Sequence, residues 1–106
     1  MNIQFSTDKT ITGEERQEDY FESQIEQALK RYQSHITTIA VHVKDKNGIK
    51  EGFNNIACVI EARIEGRQPI AVTDQANSIE LAVTGAIDKL KASLETILGK
   101  IQRHRK

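Results

Sequence analysis

The sequence has little of several residue types, and each shortage narrows what the chain can be. Its 106 residues include one cysteine, one proline, no tryptophan and 5% aromatic residues. The single cysteine, Cys58, cannot form an internal disulfide, which favours a reducing compartment. No apolar run approaches the roughly 18–20 residues that span a bilayer, and the N-terminus lacks the basic-then-apolar pattern of a signal peptide. We therefore expect a cytoplasmic protein with no membrane partner.

The chain also lacks net charge of either sign. Fifteen basic and fifteen acidic residues cancel, which argues against indiscriminate binding of nucleic acid. The charges are unevenly placed, because residues 99–106 carry four basic residues and no acidic one. The length suits one domain with its own hydrophobic core, so we treat residues 1–106 as a single domain.

Residues suited to catalysis or metal binding are scattered. His35, His42 and His104 fall in a predicted loop, a predicted strand and the tail, without the spacing of metal ligands. Cys58 falls on the inward face of a predicted strand, where a buried thiol acts as a small apolar side chain. No glycine-rich phosphate loop precedes a helix, and Gly85 is expected to allow close helix–sheet packing. We therefore expect that the protein is not an enzyme and that it binds no metal, cofactor or small-molecule substrate.

Hydrophobic periodicity predicts four strands and two helices. Alternation of apolar and polar residues predicts strands over residues 2–6, 38–44, 56–64 and 69–74. A helical period predicts helices from residue 12 to about 33 and from 77 to 106, the second capped by Asn77. Asn47 and Gly48 favour a two-residue turn. The predicted fold is an α+β two-layer β-α-β-β-β-α sandwich, with a four-stranded mixed sheet and two helices on one face.

The second predicted helix keeps its acidic residues off one side. Its apolar stripe consists of Ile79, Val83, Ala86, Ile87, Leu90, Leu94, Ile97, Leu98 and Ile101. Three basic residues lie along one edge of the stripe, with no acid of the helix among them: Lys89, Lys100 and Arg103. The acids lie on the opposite edge or the outer face: Glu80, Asp88 and Glu95. This segregation favours an anionic partner along the basic edge, and Arg105 and Lys106 extend the basic series into the tail.

The first predicted helix has a comparable flank. Arg16 and Arg31 share it with polar residues (Tyr20, Gln24 and Gln27), and Lys30 precedes Arg31 in the last predicted turn. Two such helices could jointly present a surface that binds phosphates without reading sequence. The alternatives are that the basic residues form an ordinary solvated face, and that the tail only complements the helix dipole.

Several short segments carry a resemblance to a known family. They are Tyr20-Phe21-Glu22, Leu29-Lys30-Arg31-Tyr32 followed by His35-Ile36-Thr37, Ala82-Val83, Ala86-Ile87-Asp88-Lys89-Leu90, and Leu94. In the order β-α-β-β-β-α they resemble the short ribosome hibernation-promoting factors and ribosome-associated inhibitors of the protein Y family. The resemblance covers nearly the whole chain.

The resemblance implies a translation inhibitor that binds small-subunit ribosomal RNA near the decoding region. It would block the messenger and transfer RNA sites during stress or stationary phase, with the small ribosomal subunit and its RNA as partners. The expected phosphate contacts are Lys89, Lys100, Arg103, Arg105, Lys106, Lys30, Arg31 and Arg16. Residues 1–106 would be a short form without a C-terminal dimerisation domain, monomeric off the ribosome. The alternative is a protein-interaction module of the same fold, which would bind a protein through the open sheet face or the acidic side of the first helix.

Overall fold

The part of the chain that the structure describes forms four strands and two α-helices in the predicted order. The computed structural model describes the backbone of residues 1–7, 15–45 and 56–103, and the side chains of residues 1–7, 19–44 and 56–98. Its elements are β1 (Asn2–Thr7), α1 (Glu15–Ala28), a 3-10 helix (Lys30–Tyr32), β2 (Ile36–Asp45), β3 (Ile56–Ile64), β4 (Ile70–Ala76) and α2 (Ile79–Arg103). The predicted α+β fold is confirmed. The turn predicted at Asn47 and Gly48 lies outside the described residues.

The strands form one mixed sheet in the order β1-β2-β3-β4. β1 pairs with β2 in parallel, because α1 carries the chain back across the sheet between them. β2 and β3, and β3 and β4, pair antiparallel. α1 packs on β1, and α2 packs on β3 and β4. Since the helices also contact each other, both cover the same face of the sheet.

The core lies between the helices and this covered face. β2 and β3 supply alternate residues that are at most 4% exposed: Ile39, Val41, Val43, Cys58, Ile60, Ala62 and Ile64. α2 supplies Val83, Ala86, Leu90 and Leu94, each fully buried, on the stripe predicted from the sequence. Phe21, Ile25 and Leu29 of the first helical segment are likewise buried. Within the described residues, no helix is long and apolar enough to cross a bilayer.

The first helix ends earlier than predicted. α1 stops at Ala28, and Lys30–Tyr32 forms a 3-10 helix where the sequence predicted continued α-helix to about residue 33. The Tyr32 N–H donates to the Leu29 carbonyl at 2.9 Å, a bond that spans three residues. Residues three apart eclipse in a 3-10 helix, so the tighter winding buries both Leu29 and Tyr32.

α2 begins one residue later than predicted. The Leu81 N–H donates to Ser78 Oγ at 3.2 Å, and the Ala82 N–H donates to the Ser78 carbonyl at 3.0 Å. Ser78 is therefore the N-cap, and the assignment of Asn77 to that position was wrong by one residue. Serine and asparagine are both favoured N-caps, so the two neighbours could not be separated by residue type.

One residue on the open face of the sheet is buried. Ala57 points to this face, yet only 2% of its surface is exposed. Its partners in the register are Lys44 on β2 and Gln75 on β4. Longer side chains on both neighbouring strands therefore flank the small Ala57 methyl group, although strand alternation by itself would leave this residue in solvent.

Cys58 is completely buried, and we expect its thiol to be inert in the folded protein. Burial, together with the nearby Asp74 carboxylate, raises the pKa of Cys58 to about 12. At about pH 8 roughly one thiol in ten thousand is then ionised, and the thiolate is the reactive form. Native protein should react with a thiol reagent at least about a hundredfold more slowly than protein unfolded in urea. Equal rates would contradict the burial of Cys58.

Candidate nucleic-acid interface

The two helices run in the same direction, side by side. Three hydrogen bonds between described side chains join them in register: Tyr20 to Glu80 at 3.2 Å, Gln24 to Thr84 at 3.2 Å, and Tyr32 to Glu95 at 3.3 Å. Early residues of the first helical segment thus meet early residues of α2, and late residues meet late ones. The C-terminal ends of both helices therefore lie at the same end of the domain.

This packing corrects the predicted joint surface. Tyr20 and Gln24 were assigned to a phosphate-binding flank of the first helix, but both side chains bond to residues on α2. Tyr20 meets Glu80, one of the acids predicted to lie away from the basic edge. At this point the flank therefore packs against the acidic edge of α2, so Tyr20 and Gln24 do not lie on a surface shared with the basic edge of α2.

Basic residues instead gather where both helices end. Lys30 and Arg31 are exposed on the 3-10 helix. The β3–β4 turn lies beside them, since the Glu65 N–H donates to the His35 carbonyl at 2.9 Å, and Arg67 in this turn is exposed.

α2 extends past this level. Tyr32 contacts Glu95, and the α2 backbone continues to Arg103, about 12 Å further at 1.5 Å per residue. Its last turns carry Lys100 and Arg103. We call this region the basic end, defined by Lys30, Arg31, Arg67, Lys100 and Arg103.

Contacts around Tyr32 fix one side of the basic end. The Arg31 guanidinium lies 5.3 Å from the centre of the Tyr32 ring, a cation–π distance. The Tyr32 hydroxyl donates to Glu95 Oε2. Burial raises the pKa of the Tyr32 phenol, the Glu95 carboxylate adds to this, and Arg31 opposes it. The phenol therefore stays protonated and donates to the Glu95 carboxylate.

Lys89 lies apart from the basic end, on the edge of α2 that faces β4. Its ammonium is 3.0 Å from Asp74 Oδ1 and donates to the Thr73 carbonyl at 2.8 Å. The sequence of α2 places no acid of its own on this edge, but β4 supplies one. A Cβ atom at residue 85 would overlap the Asp74 carboxylate, so Gly85 allows the helix and the carboxylate to lie this close. This confirms the packing role predicted for Gly85.

The other predicted phosphate contacts either lie far from the basic end or have side chains that the structure does not describe. Arg16 lies in the first turn of α1, roughly 20 Å along the helical segment from Lys30, so the structure does not bring these two together. The backbone of Lys100 and Arg103 is described but their side chains are not, and Arg105 and Lys106 lie outside the described residues. Sequence reasoning missed Arg67, because no local pattern shows that the β3–β4 turn meets the chain near His35.

The open sheet face offers a different kind of surface. A shallow hollow of about 390 Å³ is lined by Gln4, Phe5, Ser6, Ala40, Val41, His42, Val59, Glu61 and Ala71. Ser6 Oγ and His42 Nδ1 are 2.9 Å apart across the parallel β1–β2 pair, and Glu61 lies 4.0 Å from Arg63. Among the described residues, no three His, Cys, Asp or Glu side chains are grouped to hold a metal ion.

Comparison with known proteins finds one matching family. The model of the family described as Sigma 54 modulation protein / S30EA ribosomal protein matches residues 3–102. No curated protein sequence matches the chain.

Solved structures share the fold at low sequence identity. The Thermus thermophilus Protein Y N-terminal domain superposes with a TM-score of 0.72 at 18% identity, covering 92% of this chain and 99% of that one. A ribosomal subunit interface protein from Coxiella burnetii gives a TM-score of 0.71 at 15% identity, covering 93% of this chain and 99% of that one. At such identities the likeness establishes the shared fold.

Proposed function

Because the chain belongs to the Sigma 54 modulation protein / S30EA ribosomal protein family, we propose that it inhibits translation by binding small-subunit ribosomal RNA through its basic end. Membership makes the chain a ribosome-associated modulation factor of a family not known for enzymes. The finer proposal is that it occupies the region near decoding, where messenger and transfer RNA bind, when cells are stressed or stationary. A factor that works on the ribosome works in the cytoplasm.

The gathering of basic residues at one end of the helix layer carries this proposal. Lys30, Arg31 and Arg67 are exposed there, and the last turns of α2 carry Lys100 and Arg103 to the same end. Basic side chains so placed bind phosphates by releasing counterions, independently of sequence. Arg105 and Lys106, which follow in the sequence, would add to the same surface.

The surface is better suited to structured RNA than to unpaired bases. Single strands are bound by aromatic side chains on which bases stack, whereas RNA helices are recognised mainly by shape and phosphates. Among the described aromatic side chains, Phe21 and Tyr32 are buried, Phe5 is partly buried against the core, and Tyr20 is 53% exposed. Tyr20 donates its hydroxyl hydrogen bond to Glu80, towards the end of the helix layer opposite the basic end.

Inhibition in this scheme needs no chemical step. A folded domain bound between the head and body of the small subunit excludes messenger and transfer RNA by occupying their space. The positively charged end holds it there, and the zero net charge of the chain limits binding to RNA elsewhere. Specificity then comes from the fit of the domain to folded RNA.

Cosedimentation with purified ribosomal subunits tests the proposal. We expect saturable binding to small subunits, weaker at about 200 mM than at about 50 mM salt, because phosphate contacts release counterions. Messenger RNA with transfer RNA should displace the protein. Failure to bind small subunits would contradict the proposal, and binding that survives saturating messenger and transfer RNA would contradict its decoding-region part. Salt-independent binding blocked by changes on the open sheet face would favour the protein-interaction alternative.

A further inference from the structure

The Lys89 ammonium on α2 forms a salt bridge with the Asp74 carboxylate on β4. Asp74 Oδ1 lies 3.0 Å from Lys89 Nζ, and the same ammonium donates to the Thr73 carbonyl at 2.8 Å. Two of the three N–H groups of the ammonium therefore have partners within the protein. The Lys89 side chain is still 54% exposed, and that of Asp74 is 23% exposed. The pair is thus reachable from solvent and locally neutral.

The backbone fixes this arrangement from both sides. Among the strands that the structure describes, β4 lies at one edge of the sheet, so its outer side carries backbone groups that no described strand pairs. Lys89 covers one of them, the Thr73 carbonyl. On the helix, the missing side chain of Gly85 leaves the space that the Asp74 carboxylate occupies. Asp74 is therefore held against α2 by packing as well as by its charge.

We propose that Asp74 withholds Lys89 from RNA phosphates and so weakens the binding of this protein to ribosomal RNA. This inference rests on the proposed function. A phosphate that approached Lys89 would meet the Asp74 carboxylate beside it, and like charges at such distances repel. To bind a phosphate, Lys89 must leave both Asp74 and the Thr73 carbonyl. The basic edge predicted for α2 is thus incomplete in the folded protein, and its first member is neutralised within the chain.

Two variants of equal charge separate this effect from a general change in charge. Asp74→Asn removes the carboxylate next to Lys89 but keeps its volume above Gly85. Asp88→Asn removes one exposed carboxylate from α2, and no ion pair joins Asp88 to another of the side chains that the structure describes. Lys89→Gln, alone and combined with Asp74→Asn, shows whether any effect passes through Lys89.

We expect Asp74→Asn to strengthen binding to small subunits severalfold at about 50 mM salt. One additional phosphate contact steepens the slope of log K against log salt by about 0.7–0.9. The gain in affinity should therefore be roughly threefold smaller at about 200 mM than at about 50 mM salt. Lys89→Gln alone should change affinity less than about twofold, and the double variant should lose the gain of Asp74→Asn. Equal effects of Asp74→Asn and Asp88→Asn, or a large loss from Lys89→Gln alone, would overturn the proposal.

A second measurement on phosphocellulose decides the point without ribosomes. Asp74→Asn should elute at higher salt than Asp88→Asn, although both variants have the same net charge, because only the first releases Lys89 to the phosphate groups of the matrix. Coelution would overturn the proposal. Wild-type protein that fails to bind small subunits would contradict the proposed function, whereas the elution order would still show whether Asp74 withholds Lys89.

Discussion

Leu90→Ala is expected to lower the free energy of unfolding by about 2–5 kcal/mol. Leu90 is fully buried at the centre of the apolar stripe of α2, which packs on β3 and β4. Truncation removes buried methyl groups and leaves a cavity that a close-packed core fills only partly. Urea melts of the wild type and the variant measure the difference.

The control is a second leucine on the same helix. Leu81 is 58% exposed, so Leu81→Ala should change the free energy of unfolding by no more than about 0.5 kcal/mol. Both changes have the same effect on intrinsic helix propensity, and only burial differs between them. Similar losses in the two variants would contradict the position of α2 on the sheet.

Replacing four of the five basic residues of the basic end is expected to weaken small-subunit binding by roughly 200- to 1,000-fold at about 0.15 M salt. The variant replaces Lys30, Arg31, Lys100 and Arg103 with Gln. Each lost phosphate contact removes about 0.7–0.9 from the slope of log K against log salt, so four contacts lower the slope by about 3. The expected loss at about 0.15 M salt follows from this change in slope when about 1 M salt is taken as the reference at which counterion release contributes nothing to binding. Folding stability should change little, because exposed charges contribute little to it.

A matched pair of double variants separates position from charge. Lys30→Gln with Arg31→Gln removes two exposed charges at the basic end, and should lower the slope by about 1.4–1.8. Lys44→Gln with Arg63→Gln removes two exposed charges from the open sheet face, and should leave the slope unchanged. An equal decrease in slope for both double variants would show that binding depends on overall charge. An unchanged slope for both would show that the basic end does not contact RNA.

Periodicity predicted the strands, the buried faces and both helices, because burial of one face leaves a regular trace in the sequence. Leu90, Leu94 and Val83 recur at helical spacing, and all three are fully buried. Cys58 alternates with Ile60 in the same way on β3, and both face the core. Local pattern was less informative at helix ends, where Asn77 and Ser78 are both good caps and packing decides between them.

The candidate site was harder to predict, because its charges come from distant parts of the chain. The sequence shows the basic edge of α2, but the position of Asp74 beside Lys89 depends on how β4 and α2 pack. Likewise, Tyr20 and Gln24 join α1 to α2 only because the helices lie parallel in contact. The helical periodicity of the sequence shows which residues share one face of a helix. Which other element packs against that face depends on the tertiary structure.

Directed cleavage of ribosomal RNA from a probe at the basic end tests the central claim most directly. Because Cys58 is buried and has a pKa of about 12, an introduced surface cysteine can be labelled selectively with an iron chelate that generates hydroxyl radicals. Gln33→Cys places the probe next to Lys30 and Arg31, and Gln4→Cys places it on the open sheet face. We predict strong cleavage of small-subunit RNA near the decoding region from residue 33 and little from residue 4. Stronger cleavage from residue 4, or none from residue 33 in a bound complex, would contradict RNA binding through the basic end.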